Sequence, residues 1–105
     1  MKKLVFALLI FTASNAYAAS DVVLVIKDHK FSPADFEVAA GEKVKIIVDN
    51  QDSTPEEFES YDLHREKIIQ GNSKATIFIG PLAPGKYEYF GEFNPTTAKG
   101  TITAK

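Results

Sequence analysis

From Val22 to Ala104 the chain is cut into short runs in which apolar and polar side chains alternate, and Gly, Pro, Asn and Asp make the cuts. Residues 22–27 (VVLVIK) are β-branched and apolar. Phe36 and Val38 alternate with Asp35 and Glu37. In residues 43–50 (KVKIIVDN), Val44, Ile46 and Val48 fall on one side, with Lys43, Lys45 and Asp49 on the other. Residues 67–69, 75–79 (ATIFI), 87–93 and 100–104 continue the series, with turns at Gly71-Asn72 and at residues 81–85 (PLAPG). A period of two belongs to strands with one face buried. Such runs, recurring about every 8–12 residues with almost no helical periodicity, specify an all-β sandwich of about seven or eight strands. Phe31-Ser32-Pro33 is expected to turn the chain. Residues 50–66 (NQDSTPEEFESYDLHRE) are expected to be irregular, because Pro55 bars a central strand and residues 60–63 have room for one helical turn. Tyr87, Tyr89, Phe90 and Phe93 are expected in the core.

Residues 1–18 stand apart. Lys2 and Lys3 precede the apolar run 4–11 (LVFALLIF), and Ala16-Tyr17-Ala18 has the small-x-small form of a cleavage site. A membrane-spanning helix needs about 20 apolar residues, and this run is far shorter. The pattern is that of a secretory signal peptide, leaving residues 19–105 as one exported domain with no membrane insertion after signal removal. Without Lys2 and Lys3, 10 basic side chains face 14 acidic ones, a formal charge near −4. That balance argues against nucleic acid or an anionic membrane as a partner, since both call for basic patches. It suits cations or a basic protein.

The 105 residues contain no cysteine. Disulfides, thiolate metal sites and cysteine nucleophiles are therefore excluded. The sole methionine is Met1, so the thioether ligands of copper(I) carriers are absent as well. With no Trp, the core must rest on Phe, Tyr, Ile and Val.

The order of motifs resembles the cupredoxin family. The matching pieces are Phe31-x-Pro33, then Phe36-x-Val38-x-Ala40-Gly41, the strand ending at Asn50, Pro84-Gly85-x-Tyr87 and the strand from Gly100. The resemblance implies a Greek-key β-sandwich. A blue-copper member holds its metal with two His, one Cys and a weak axial Met. Carried onto this chain, those positions fall at Glu56, Gly91, Asn94 and Thr97 or Ala98, so a type 1 blue-copper centre is not expected. Residues 52–60 (DSTPEEFES), Leu63-x-x-Glu66-Lys67 and Phe90-Gly91-Glu92-Phe93 are similar to a narrower branch, the cupredoxin-like proteins of bacterial periplasmic iron uptake. That resemblance implies binding of iron or copper ions by carboxylate and imidazole groups, in partnership with an iron permease system. One departure is Asn94, where the branch often carries His.

Asp49, Asp52, Glu56, Glu57, Glu59, Asp62 and Glu66 fall within eighteen residues. A solvated acidic loop is the plain reading of such a run. If residues 56–60 are extended, however, Glu56, Phe58 and Ser60 share one side, and Glu57 and Glu59 share the other. The cupredoxin resemblance then sets Glu57 beside Glu92. Carboxylates so close repel unless one is protonated or a cation lies between them. Glu57, Glu59 and Glu92 are therefore the expected metal ligands, with His64 or Glu66 completing the set. For His64 an exposed loop position is the competing reading, and for His29 a polar turn residue is favoured. Glu56 and Asn94 are open either as a residual site at the old copper position or as a hydrogen bond replacing it. No Ser/His/Asp set is evident, so the chain reads as a binder before an enzyme. The rivals are a ferroxidase, a copper-scavenging binder and a metal-free module that docks a basic partner through its acidic loop.

Overall fold

The computed structural model describes residues 21–105, so the signal-peptide assignment lies outside the described residues. Nine strands follow in order: β1 (Asp21–Lys27), β2 (Lys30–Ser32), β3 (Asp35–Val38), β4 (Val44–Asn50), β5 (Glu56–Ser60), β6 (Arg65–Ile69), β7 (Ser73–Ile79), β8 (Gly85–Gly91) and β9 (Lys99–Ala104). They form a four-stranded sheet in the order β2-β1-β4-β7 and a five-stranded sheet in the order β3-β9-β8-β5-β6. The pairs β1–β4 and β3–β9 are parallel and the rest antiparallel, so both sheets are mixed. Among the described residues there is no helix. The all-β sandwich that alternation specifies is the fold observed.

The core lies between the sheets. Leu24, Ile26, Val44, Ile46 and Val48 come from one side, and Phe58, Ile69, Tyr89 and Ile102 from the other, each essentially fully buried. Tyr89 stacks on Phe58 at 5.1 Å and meets Phe31 edge-on at 5.0 Å. Its hydroxyl donates to the Ala34 carbonyl at 2.6 Å, which satisfies the one polar atom this ring brings inside. Burial, with Asp35 nearby, pushes that phenol well above its usual range. Gly100 has no Cβ because one would collide with the Ala34 carbonyl and the Tyr89 hydroxyl.

Four expectations are corrected. Phe31-Ser32 is a strand rather than a turn, since the chain reverses one step earlier at Asp28-His29. Both of these have positive φ (54° and 60°), the backbone of a two-residue hairpin. Residues 56–60 form the regular strand β5, and residues 61–64 make a turn where one helical turn had room. The loop 51–55 alone takes up Pro55. Phe90 is only partly buried, on the outer face, because β8 turns Tyr87, Tyr89 and Gly91 inward. Phe93 is 48% exposed rather than core, because β8 stops at Gly91 and the chain turns there, the Asn94 N–H donating to the Gly91 carbonyl at 3.1 Å.

Candidate functional site

Two loops next to β5 fix where its side chains stand. Asn50 is fully buried at the end of β4. Its amide donates to the carbonyls of Thr54, Ile69 and Gln70, and its Oδ1 accepts the Asp52 N–H. One side chain thus shapes the loop that leads into β5. Asp52 in turn accepts the backbone N–H groups of Asp28 and His29 at 2.8 and 2.9 Å, holding the left-handed β1–β2 turn. The His29 N–H, then that of Asp28, keeps the Asp52 carboxyl below its ordinary pKa despite some desolvation. At the far end of β5, the Ser60 hydroxyl donates to the Glu88 carbonyl and accepts from the Leu63 N–H. Asp62 accepts the Glu88 N–H at 2.9 Å, pinning the turn to β8.

Alternation along β5 sends Glu56, Phe58 and Ser60 inward and leaves Glu57 and Glu59 half-buried on the outer face. Glu56 is 1% exposed. Its Oε1 accepts the N–H groups of Glu57 and Phe93, both at 2.9 Å, and its Oε2 accepts the Asn94 amide at 2.8 Å. A Cβ on Gly91 would lie 2.6 Å from the Glu56 carboxyl carbon and 2.8 Å from the Ala98 methyl. Glu56, Gly91, Asn94 and Ala98 therefore converge at one pole of the sandwich and fill it. The Glu56–Asn94 pair is a direct hydrogen bond.

Outside, the β5–β6 register sets Glu59 opposite Glu66, and Glu57 opposite Ile68. Glu57, Glu59 and Glu66 each offer a carboxylate oxygen within 4.8 Å of the others. Desolvation, a side-chain hydrogen bond with Glu66 and the charges of Glu66, Glu59 and Glu92 raise the Glu57 pKa above its ordinary value. Glu59 is raised by desolvation and by the charges of Glu66 and Glu92. Crowded carboxylates of this kind hold a shared proton, or would hold a cation. Glu92 flanks the cluster in the turn just past the end of β8, its N–H donating to the Glu57 carbonyl at 2.8 Å, but lies outside the close trio.

His64 also lies outside it. It closes the β5–β6 turn with φ 55°, a left-handed conformation that His tolerates better than most residues. It borders an open cleft of about 510 Å3 together with Glu59, Tyr61 and Glu66. His29 sits in the opposite turn, its Nδ1 3.6 Å from Asp52. Asp49 faces outward on the other sheet, beside Lys74. Sequence reasoning passed over Asn50 as a fixing residue. Its only signal was an amide ending an apolar strand just before a Pro-containing loop.

With this geometry in hand, the chain is seen to belong to the cupredoxin-like family, for the sequence model of the cupredoxin-like domain matches residues 2–104. A curated relative, the uncharacterized protein RP394 of Rickettsia prowazekii (strain Madrid E), is 51% identical over 82 residues. The match covers 78% of this chain and 66% of that protein, just under two-thirds of the relative's length. The fold is similar to the metal-binding domain of the Cu(I)-exporting P-type ATPase CopA of Streptococcus pneumoniae D39, solved with Cu(I). There the TM-score is 0.72 at 15% identity, covering 81% of this chain and 84% of that one. Amicyanin from Paracoccus versutus gives 0.65 at 18% identity, with 89% and 88% covered. Auracyanin from Roseiflexus castenholzii gives 0.67 at 13%, with 85% and 99% covered. At such identities the likeness is one of fold.

A blue-copper ion does not fit this chain. The donors it needs are a thiolate, two imidazoles and a thioether, whereas the converging pole offers a carboxylate, an amide, a glycine and an alanine. Glu56 already accepts three hydrogen bonds within the protein.

Proposed function

We propose that this chain is a periplasmic metal-binding cupredoxin-like protein that takes iron or copper(II) on the outer face of its five-stranded sheet, as an accessory of iron uptake through a membrane permease. The observation that carries the reading is the spacing of Glu57, Glu59 and Glu66, whose oxygens lie within 4.8 Å of one another with two of the three carboxyls raised in pKa. A cation between them replaces like-charge repulsion by coordination. Hard oxygen donors suit iron, and an imidazole from His64 at the rim of the adjoining cleft would suit copper(II). Solved relatives in fold include a metal-binding domain with Cu(I). This chain has no Cys and only Met1, so its own donors favour the harder ions. The link to iron uptake rests on the run from Asp52 to Ser60 and on Phe90-Gly91-Glu92-Phe93.

Calorimetric titration of chelator-stripped protein with copper(II) and, anaerobically, with iron(II) tests this. Wild type is expected to bind one of the ions with an affinity that Glu57→Gln/Glu59→Gln abolishes and Glu92→Gln weakens. Equal heats for wild type and the double variant sink the carboxylate site. Strong preference for copper over iron would move the role from iron uptake to copper scavenging.

A further inference from the structure

The carboxylate trio occupies one outer face, and the other is of opposite character. In the four-stranded sheet, β1 turns Val23 and Val25 outward, with Ile47 of β4 beside Val23. One ladder position further, Lys45 stands beside Phe78 of β7. Val23 is 55% exposed and Phe78 47%, and the Lys43 ammonium lies 4.9 Å from the centre of the Phe78 ring. Lysines border this apolar strip: Lys27 is paired with Lys30 at one end, and Lys74 stands on β7. With Lys43 and Lys45 they make five cations, against Asp21 and Asp49 on the strands of the same face and the exposed Asp28 and Glu42 in its flanking turns. The carboxylates in excess lie on the opposite face.

We propose that this face docks on the surface of an anionic phospholipid bilayer. The lysines take lipid phosphates, Val23 and Phe78 enter the headgroup boundary, and the carboxylate face is left turned to water. An excess of cations round exposed apolar side chains is the pattern of interfacial binding. The clefts formed around Tyr61, Phe90 and Pro95 open on the five-stranded side, whereas the lysine face is the even surface of a sheet. A bilayer asks for no groove. The net negative charge of the chain does not oppose this docking. Stacked sheets lie about 10 Å apart, and the Debye length at physiological ionic strength is about 8 Å, so the far carboxylates are largely screened from the membrane. Each net lysine near an anionic leaflet multiplies partitioning several-fold, so an excess of one cation over the carboxylates of this face predicts a several-fold enhancement.

Residues 21–105 hold both sheets and the whole core described above, so residues 19–105 serve for the test, in buffer with a chelator to keep it independent of metal. Co-sedimentation is measured with vesicles of phosphatidylcholine alone and of phosphatidylcholine mixed with phosphatidylglycerol. Binding to the mixed vesicles alone, lost in high salt, is expected. It should fall at least tenfold in Lys45→Glu/Lys74→Glu and by a smaller factor in Phe78→Ser, with circular dichroism showing all variants folded. Glu57→Gln/Glu59→Gln should bind at least as well as wild type. Equal binding to both vesicle types overturns the proposal, as does indifference to the lysine reversals. Tighter retention by soluble polyglutamate than by mixed vesicles would also overturn it, assigning the face to an acidic protein.

Discussion

Glu56 and Glu57 are neighbours on one strand, yet they meet opposite conditions. Glu56 is turned into the sandwich, where three N–H groups converge on it and Gly91 leaves room for its carboxylate. Glu57 is turned outward, where Glu59, Glu66 and Glu92 crowd it with like charge. The inner carboxylate is a complete structural unit and asks for nothing more. The outer one is left with a deficit that only a proton or a cation relieves. Composition does not separate them, because both belong to the same acidic run. What separates them is the period of two, and the comparison locates function on the side where the charges are unsatisfied.

The sharpest break in that comparison is Glu56→Ala. It orphans three donors, each costing about 1–3 kcal/mol when buried, and opens a cavity beside Gly91 and Ala98. Because the loop 92–98 is near the surface, part of this is recovered by water, and the expected loss is about 3–5 kcal/mol by chemical denaturation. A loss under about 1 kcal/mol would mean that the inner carboxylate is not a fixing residue. Gly91→Ala attacks the same pole from the other side. The new methyl collides with the Glu56 carboxyl, which is not free to move, and with the Ala98 methyl. Overpacking of this kind costs about 1–3 kcal/mol. In a Glu56→Ala background that cost should shrink, and a double-mutant cycle without coupling would show that the two positions do not share the pole.

A third carboxylate extends the comparison. Asp52, like Glu56, is satisfied by backbone donors, those of Asp28 and His29. Asp52→Ala should cost about 1–3 kcal/mol, the scale of hydrogen bonds to a charged acceptor. Its pKa is lowered by folding. Its contribution is therefore present above its unfolded pKa, near 4, and is lost as pH falls through the depressed folded value. Thermal melts of wild type and Asp52→Ala should differ at pH 7 and converge in acid. A difference that stays constant with pH would sink this account.

The fold was legible because alternation is written in side chains that are either plainly apolar or plainly charged, as in residues 43–50. It failed where burial is achieved by hydrogen bonding. Glu56 and Ser60 are inner residues of β5 that look like surface ones, so the strand was masked by its own polar composition and by Pro55. Phe93 misled in the opposite sense. Its parity with Tyr87 and Tyr89 holds only if β8 continues past Gly91, and the turn that ends the strand is held by Glu56, far away in sequence, which accepts from the Phe93 N–H and the Asn94 amide. The acidic cluster was visible, but which carboxylates meet in it depends on the β5–β6 register. The turn at residues 61–64 sets that register and brings Glu66, rather than Glu92, closest to Glu59. The uneven sharing of carboxylates between the two sheets was hidden altogether in a net charge of small magnitude.

The smallest expected effect has the opposite sign to the others. The Glu59 pKa is raised above its ordinary value of 4.5 in the folded protein. Its favourable contribution is thus complete below the unfolded pKa and is lost as pH rises through the raised folded value, leaving a penalty at neutral pH. Glu59→Gln should therefore melt slightly higher than wild type at pH 7 in low salt and in chelator. The advantage should fade toward pH 4 as the native carboxylate takes up its proton, and fade also in high salt as the repulsion is screened. Adding the bound ion should reverse the order, because a ligand that binds only the folded state stabilises wild type in proportion to its affinity, and the variant lacks a donor. Destabilisation of the metal-free protein by Glu59→Gln at neutral pH would show that the outer carboxylates are satisfied within the fold, as Glu56 is. The contrast between the two sides of β5 would then no longer mark a site.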